Sequence, residues 1–174
     1  MLGTQYVEYI HDELLEVFWP SSEKVAAEGV RDRALLESAV GRPFQSAFGQ
    51  DIYPTVIEKG VALFHSLIAN HAFVDGNKRT AVTALDHFLL ANGFVLGIPN
   101  SVMYELATNT ASYREREVSH ENSFTEILAS IEYLITPLAT FKSEIVGLAT
   151  LEGSYQATMK LRSWIRKHPS NRLH

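Results

Sequence analysis

One decapeptide gathers the side chains best suited to do chemistry, His71-Ala72-Phe73-Val74-Asp75-Gly76-Asn77-Lys78-Arg79-Thr80. A histidine titrates near neutral pH, so His71 can take or return a proton. Asp75 is a hard oxygen ligand of the kind Mg²⁺ prefers when it also holds phosphates. The stretch opens directly into an apolar-periodic segment, so its C-terminal half should form a helix N-terminus. Free N–H groups and the helix dipole attract anions there. Lys78 and Arg79 oppose that dipole, and a bound phosphate would compensate for their placement. Gly76 allows close approach of backbone to an anion. Asn77 can orient phosphate and cap the helix, and Phe73 reads as the anchor that holds the loop to the core. Transfer of a phosphoryl or nucleotidyl group to a hydroxyl needs a base, neutralisation of polyphosphate charge and in-line positioning. These residues supply all three. They also admit a plainer reading, a polar connector between two helices.

The surrounding pattern is helical. Val7, Ile10, Leu14, Val17 and Phe18 predict a helix over 4–19, capped by Thr4 and stopped by Pro20, with His11 and Asp12 on its solvated side. Asp32 as N-cap, Gly41 and Pro43 bound a second helix over 32–40. Residues 42–53 carry Phe44, Phe48 and Tyr53 without helical period, which fits a flap or a small hairpin. Pro54 suits the first position of a third helix with Ile57, Val61, Phe64 and Ile68 on one face, and His65 inside it reads as a hydrogen-bonded core histidine. A fourth runs from Lys78 to Ala91, ended by Asn92-Gly93. After an apolar link at 94–99, Ser101 opens a fifth helix. A capping box, Ser123 to Glu126, opens a sixth that Pro137 ends. The tail, 138–174, suggests two further helices, serving as core cover, a homodimer face or a partner contact. The expected fold is all-α, one domain over 1–174 with six to eight helices.

Bulk properties narrow the function. With 174 residues and 46% hydrophobic content the chain can build a substantial core. There is no cysteine, hence no thiolate metal site or nucleophile. A net charge of −5 disfavours broad contact with nucleic acid or anionic membrane. No apolar run reaches membrane-spanning length, and Met1 to Glu8 lacks the basic and apolar regions of an export signal, so a cytoplasmic protein is expected.

The decapeptide resembles the signature of the Fic/Doc family, in its Doc (death-on-curing) form His-x-Phe-x-x-(Gly/Ala)-Asn-Lys-Arg-Thr. His71, Phe73, Asp75, Gly76, Asn77, Lys78, Arg79 and Thr80 carry the match. Ile10 to Leu14, Val30 to Val40 and Trp164 to His168 are similar to flanking family segments, and the clear resemblance spans roughly 4–97. It implies a helical domain, ATP and Mg²⁺ as cofactors, His71 as catalytic base, Asp75 as metal ligand, and Gly76, Asn77, Lys78 and Arg79 around phosphate. It also implies a flap near 42–53 that pairs with an extended segment of a target protein.

Two departures divide the family. Fic-type adenylyl transferases carry glycine at the position of Lys78 and a second arginine at the position of Val82. The resemblance to Doc-type members instead implies inverted binding of ATP and transfer of its γ-phosphate to a serine or threonine of a protein, a translation factor in the Doc case. The inhibitory helix of many Fic proteins has no counterpart: Lys24, Glu117 and Leu148 stand where it needs Ser or Thr, before Glu28-Gly29, Glu121-Asn122 and Glu152-Gly153. Restraint is therefore expected from an antitoxin protein acting in trans, contacting the first helix and the flap. The competing readings are a protein adenylyl transferase, a partner-binding module without turnover, and a metal hydrolase built on His71, Asp75 and His87.

Overall fold

The computed structural model describes residues 2–19 and 28–138. The expected tail helices, Trp164 to His168 and Glu152-Gly153 lie outside the described residues. Among the described residues six α-helices surround one hydrophobic core, with two small antiparallel strand pairs at the periphery. No described helix is long and apolar enough to cross a membrane.

Helix α1, Thr4–Phe18, begins after Gly3 without a side-chain cap, so Thr4 is inside the helix rather than its cap. Helix α2, Arg33–Gly41, is capped by Asp32, whose carboxylate accepts from the Leu35 N–H at 3.1 Å. Gly41 keeps helical dihedrals, and the chain tightens into a 3₁₀ turn, Arg42–Phe44, rather than stopping there. Proline is tolerated in that first turn because its missing N–H would be unpaired anyway. The flap follows as a hairpin of β1, Ser46–Ala47, and β2, Gln50–Asp51. Its tip, Phe48-Gly49, has positive φ at both residues, and the Phe48 ring is fully exposed. Lys59 holds the hairpin through Asp51 at 2.6 Å.

Helix α3, Val56–Asn70, starts two residues later than Pro54 suggested. Thr55 and Glu58 form a reciprocal capping box that satisfies two terminal N–H groups. From Gly60 to Ile68 every residue of α3 is buried, so it is the central helix. Helix α4, Asn77–Ala91, lies against it. A Cβ at Gly60 would sit 3.1 Å from a Leu85 methyl, so glycine there sets the close spacing of the two helices. The loop 71–76 is the corner between them.

Strand β3, Phe94–Leu96, pairs with β4, Ile135–Pro137. The apolar link and the end of the last helix are therefore one ladder, a long-range pairing that local periodicity does not reveal. Helix α5, Asn100–Ala111, begins after Pro99, with Ser101 already inside it. Helix α6, His120–Ile131, is capped by Ser119, which accepts from the Asn122 N–H at 3.1 Å. Ser123, the expected cap, is buried one turn further on.

His65 is fully buried in α3, yet neither ring nitrogen has a hydrogen-bond partner, which corrects the hydrogen-bonded reading. Its ring lies 4.3 Å from that of His120 and 5.1 Å from that of Tyr113. Burial, then the charges of His120, Arg42 and Arg114, pushes its pKa down to about 3. Burial lowers His87 to about 4. A depressed histidine binds its proton in the unfolded chain first. Stability is thus unaffected above about pH 6.5 and falls as pH drops from there toward the native values. His65→Leu should raise stability at neutral pH and flatten the acid limb by roughly 1–2 kcal/mol between about pH 7.5 and pH 5. Urea denaturation at the two pH values checks this.

Candidate active site

His71 ends α3 in the left-handed conformation, φ 52°, which turns the chain sharply out of the helix. The Arg31 guanidinium donates to its carbonyl oxygen. The segment before α2 then runs along the loop. Arg31 and Asp32 N–H groups donate to the Ala72 carbonyl at 2.8 and 3.1 Å, Val30 bridges Phe73, and Val74 N–H donates to Gly29 at 3.2 Å. Backbone groups that a free loop would leave unpaired are thus satisfied.

Asn77 is buried and is not the helix cap; Gly76 occupies that place. The Asn77 side chain accepts from Phe73 N–H and donates to Phe73 C=O, both at 2.9 Å. Those two bonds fix which end of the amide is nitrogen. Its remaining N–H points at His71 Nδ1 of the exposed imidazole across a long 3.4 Å. Asn77 therefore latches the loop, and its side chain has little left to offer a phosphate.

Asp75 is exposed. One carboxylate oxygen accepts from Gly76 N–H at 2.6 Å, leaving the other open. Gly76 has φ 76°, and a Cβ there would lie 3.3 Å from the Trp19 ring and 3.5 Å from His11. The dihedral favours glycine, and a Cβ would also require the Trp19 ring to give by a few tenths of an ångström. Gly76→Ala should cost about 1–2 kcal/mol of stability and displace Trp19, visible as a lowered Tm with a changed tryptophan emission.

Helix α1 contributes more than its sequence suggested. His11 is buried rather than solvated. Its ring stacks on Phe73 at 4.2 Å and 8°, and its Nε2–H donates to the Asp75 carbonyl at 3.1 Å. The signal was present: Val7, His11, Leu14 and Phe18 share one helical stripe. Phe18 and Trp19, at the end of α1, lie against the Arg79 guanidinium, each ring centroid 4.9 Å from its central carbon. Arg31, whose partner is a backbone carbonyl, left no pattern to find.

A cavity of about 480 Å³ opens over the N-terminus of α4 and continues between α4 and α5. His71, Asp75, Gly76, Asn77, Lys78 and Arg79 line one part; Phe73 is buried beneath. Val82, Thr83 and Asp86 of α4 line the rest, with Asn100, Met103, Tyr104 and Ala107 of α5. The α5 wall leaves no local signal, because its residues are ordinary helix positions whose facing partners lie about 20 residues earlier. The N–H groups of Asn77, Lys78 and Arg79 belong to the first turn and have no intrahelical acceptor. Among the described residues the Lys78 ammonium has no ion-pair partner. His87 is not in the lining; its Nδ1 is 3.2 Å from the Tyr6 hydroxyl.

No group of three or more metal-binding side chains occurs among the described residues. The donor set is the Asp75 carboxylate, which lines the same cavity as the basic start of α4. That suits Mg²⁺, which is commonly held by one or two carboxylates together with substrate phosphates and water. It does not suit a zinc hydrolase, which needs about three protein ligands.

A helical corner carrying a histidine, an acidic residue and two basic residues at a helix start points to a class of protein. The Fic/DOC family model matches residues 2–89, and the chain belongs to that family. It is 52% identical over 67 residues to a protein named Toxin Doc from Mycolicibacterium smegmatis. The aligned stretch is 38% of this chain and 52% of the relative, so the chain spans about half the length of the relative it matches. No solved structure matches.

Proposed function

We propose that this chain is a Doc-like toxin that transfers the γ-phosphate of ATP to a serine or threonine hydroxyl of a protein. The observation that carries the proposal is the lining of the cavity: Lys78 and Val82 both face it. A lysine crowds the helix start where adenylyl transferases have glycine, and an apolar wall stands where they have a second arginine. Phosphate charge can therefore be met at the Lys78/Arg79 end and not one turn deeper along α4. An orientation with the terminal phosphate nearest His71 fits that distribution.

In this reading His71 accepts the proton of the acceptor hydroxyl as its oxygen bonds to the γ-phosphorus. The bond from that phosphorus to the bridging oxygen breaks, and ADP leaves. First-turn N–H groups, Lys78 and Arg79 stabilise the spreading phosphoryl charge. Mg²⁺, held by Asp75 with the phosphates, would supply further neutralisation. Asn77 and His11 act on the loop's shape. The name of the similar protein and the lack of a Fic-type inhibitory sequence support a toxin restrained by a separate antitoxin protein in the cytoplasm. A translation factor is the target class that the family suggests, and one domain over 1–174 is the simplest organisation.

Mass spectrometry of a bacterial lysate treated with the protein, Mg²⁺ and ATP, beside a His71→Ala control, tests this. A His71-dependent gain of one phosphate on Ser or Thr supports the kinase reading and names the target. A gain of one AMP replaces it with adenylyl transfer. A folded protein that modifies nothing but captures a partner would be a binding module.

A further inference from the structure

We propose that Phe18 and Trp19, at the end of α1, form an aromatic bracket that sets how Arg79 presents itself to polyphosphate. The idea rests on the nucleotide reading above and extends the site to a segment more than 50 residues away in sequence.

The two rings are perpendicular, 6.4 Å apart at 86°, and make a notch. The Arg79 guanidinium carbon lies 4.9 Å from both centroids, within cation–π range of each. Attraction to a ring face consumes no N–H donor, so a bracketed guanidinium keeps its hydrogen-bonding capacity for an anion. Among the described residues Arg79 has no carboxylate or carbonyl partner, so the rings are what orders it. Phe18 and Arg79 both line the cavity, and Trp19 stands against Gly76, the residue that starts α4. The bracket thus touches the anion site at its arginine and at its backbone corner.

A long arginine side chain free in solvent loses rotamer entropy when it closes on phosphate. One already ordered has less to lose, which is preorganisation. Trp19 is then a positioning residue acting through Arg79. A lysine at 79 would keep the charge but lose the planar group that stacks and the fork that grips phosphate.

Calorimetry of full-length protein with Mg²⁺ and a non-hydrolysable ATP analogue, and separately with inorganic triphosphate, provides the test. Trp19→Ala should weaken both ligands roughly 5- to 30-fold, because the loss lies at the phosphates and not at the base. Trp19→Phe should restore binding to within about threefold. In an Arg79→Lys background Trp19→Ala should have little further effect, as expected when two residues act as a unit. In 5-fluorotryptophan-labelled protein, the resonance that vanishes in Trp19→Phe should shift when triphosphate binds. Unchanged or tighter binding by Trp19→Ala overturns the bracket. So do additive losses in the double variant, which would mean that Trp19 acts by supporting the fold. If the wild-type protein binds neither ligand, the nucleotide reading itself falls and the bracket with it. If Trp19→Ala proves unfolded by circular dichroism, the comparison of Trp19→Phe with Trp19→Leu decides: equal binding overturns the proposal, and weaker binding by leucine supports it.

Discussion

His71→Ala should lower phosphoryl transfer by roughly 10²- to 10⁴-fold, the usual weight of a positioned general base, with nucleotide affinity and stability nearly unchanged. The separation follows from geometry. The imidazole is exposed and is approached by the Asn77 side chain at 3.4 Å, so removing it empties no core space. What holds the residue is its backbone, through the Arg31 bond to its carbonyl. The left-handed φ of 52° is tolerated better by asparagine than by alanine. His71→Asn should therefore match wild type in Tm and match alanine in activity. Rates with the target identified by mass spectrometry, alongside thermal melts, check both. Substantial residual transfer by either variant would remove His71 from the chemistry.

Asn77→Ala should lose on both counts, with stability reduced by about 2–4 kcal/mol and transfer lost in parallel. Truncation strands the Phe73 N–H and C=O in a buried place, and each unpaired group costs about 1–3 kcal/mol. Phe73 then loses its fixed register beneath the loop, and the His11 stack goes with it. Asn77→Asp makes a sharper comparison. A carboxylate can still accept from Phe73 N–H but meets Phe73 C=O with repulsion, so aspartate should rescue little despite its shape. Denaturant titration separates this outcome from that of a phosphate ligand, whose removal would weaken nucleotide binding and leave the midpoint alone.

The helices of this fold were legible because their apolar residues recur with helical period and their ends carry local chemistry, as at Asp32 and Asn92-Gly93. Family membership was legible in the loop itself. What escaped was contact between parts distant in sequence. β3 and β4 pair across some 40 residues, and neither segment announces itself. Competing caps also misled: Ser119 and Ser123 are both serines before helical runs, and the choice between them was made by burial of Ser123 in the packed core. At the site, residue types singled out one stretch, and within it the structure adds that the Asn77 amide is engaged by the Phe73 backbone. His11 looked polar because it is a histidine, although its position lay on the buried stripe. The bland reading of His65 failed in the opposite sense, since the core closes around it without giving it a partner.

The first helix has a consequence for how the site can fail. His11, Phe18 and Trp19 reach the loop from α1, whose packing onto the rest rests on Val7, Ile10, Leu14 and Leu15. A single helix of 15 residues docked through one face is a unit that can open locally before the whole molecule unfolds. Each such opening would uncover Phe73, free the Asp75 carbonyl and release Arg79 together while α3 and α4 stay folded. The loop arrangement then persists only as long as α1 remains docked, and the slowest-exchanging amides along α1 report how often it undocks.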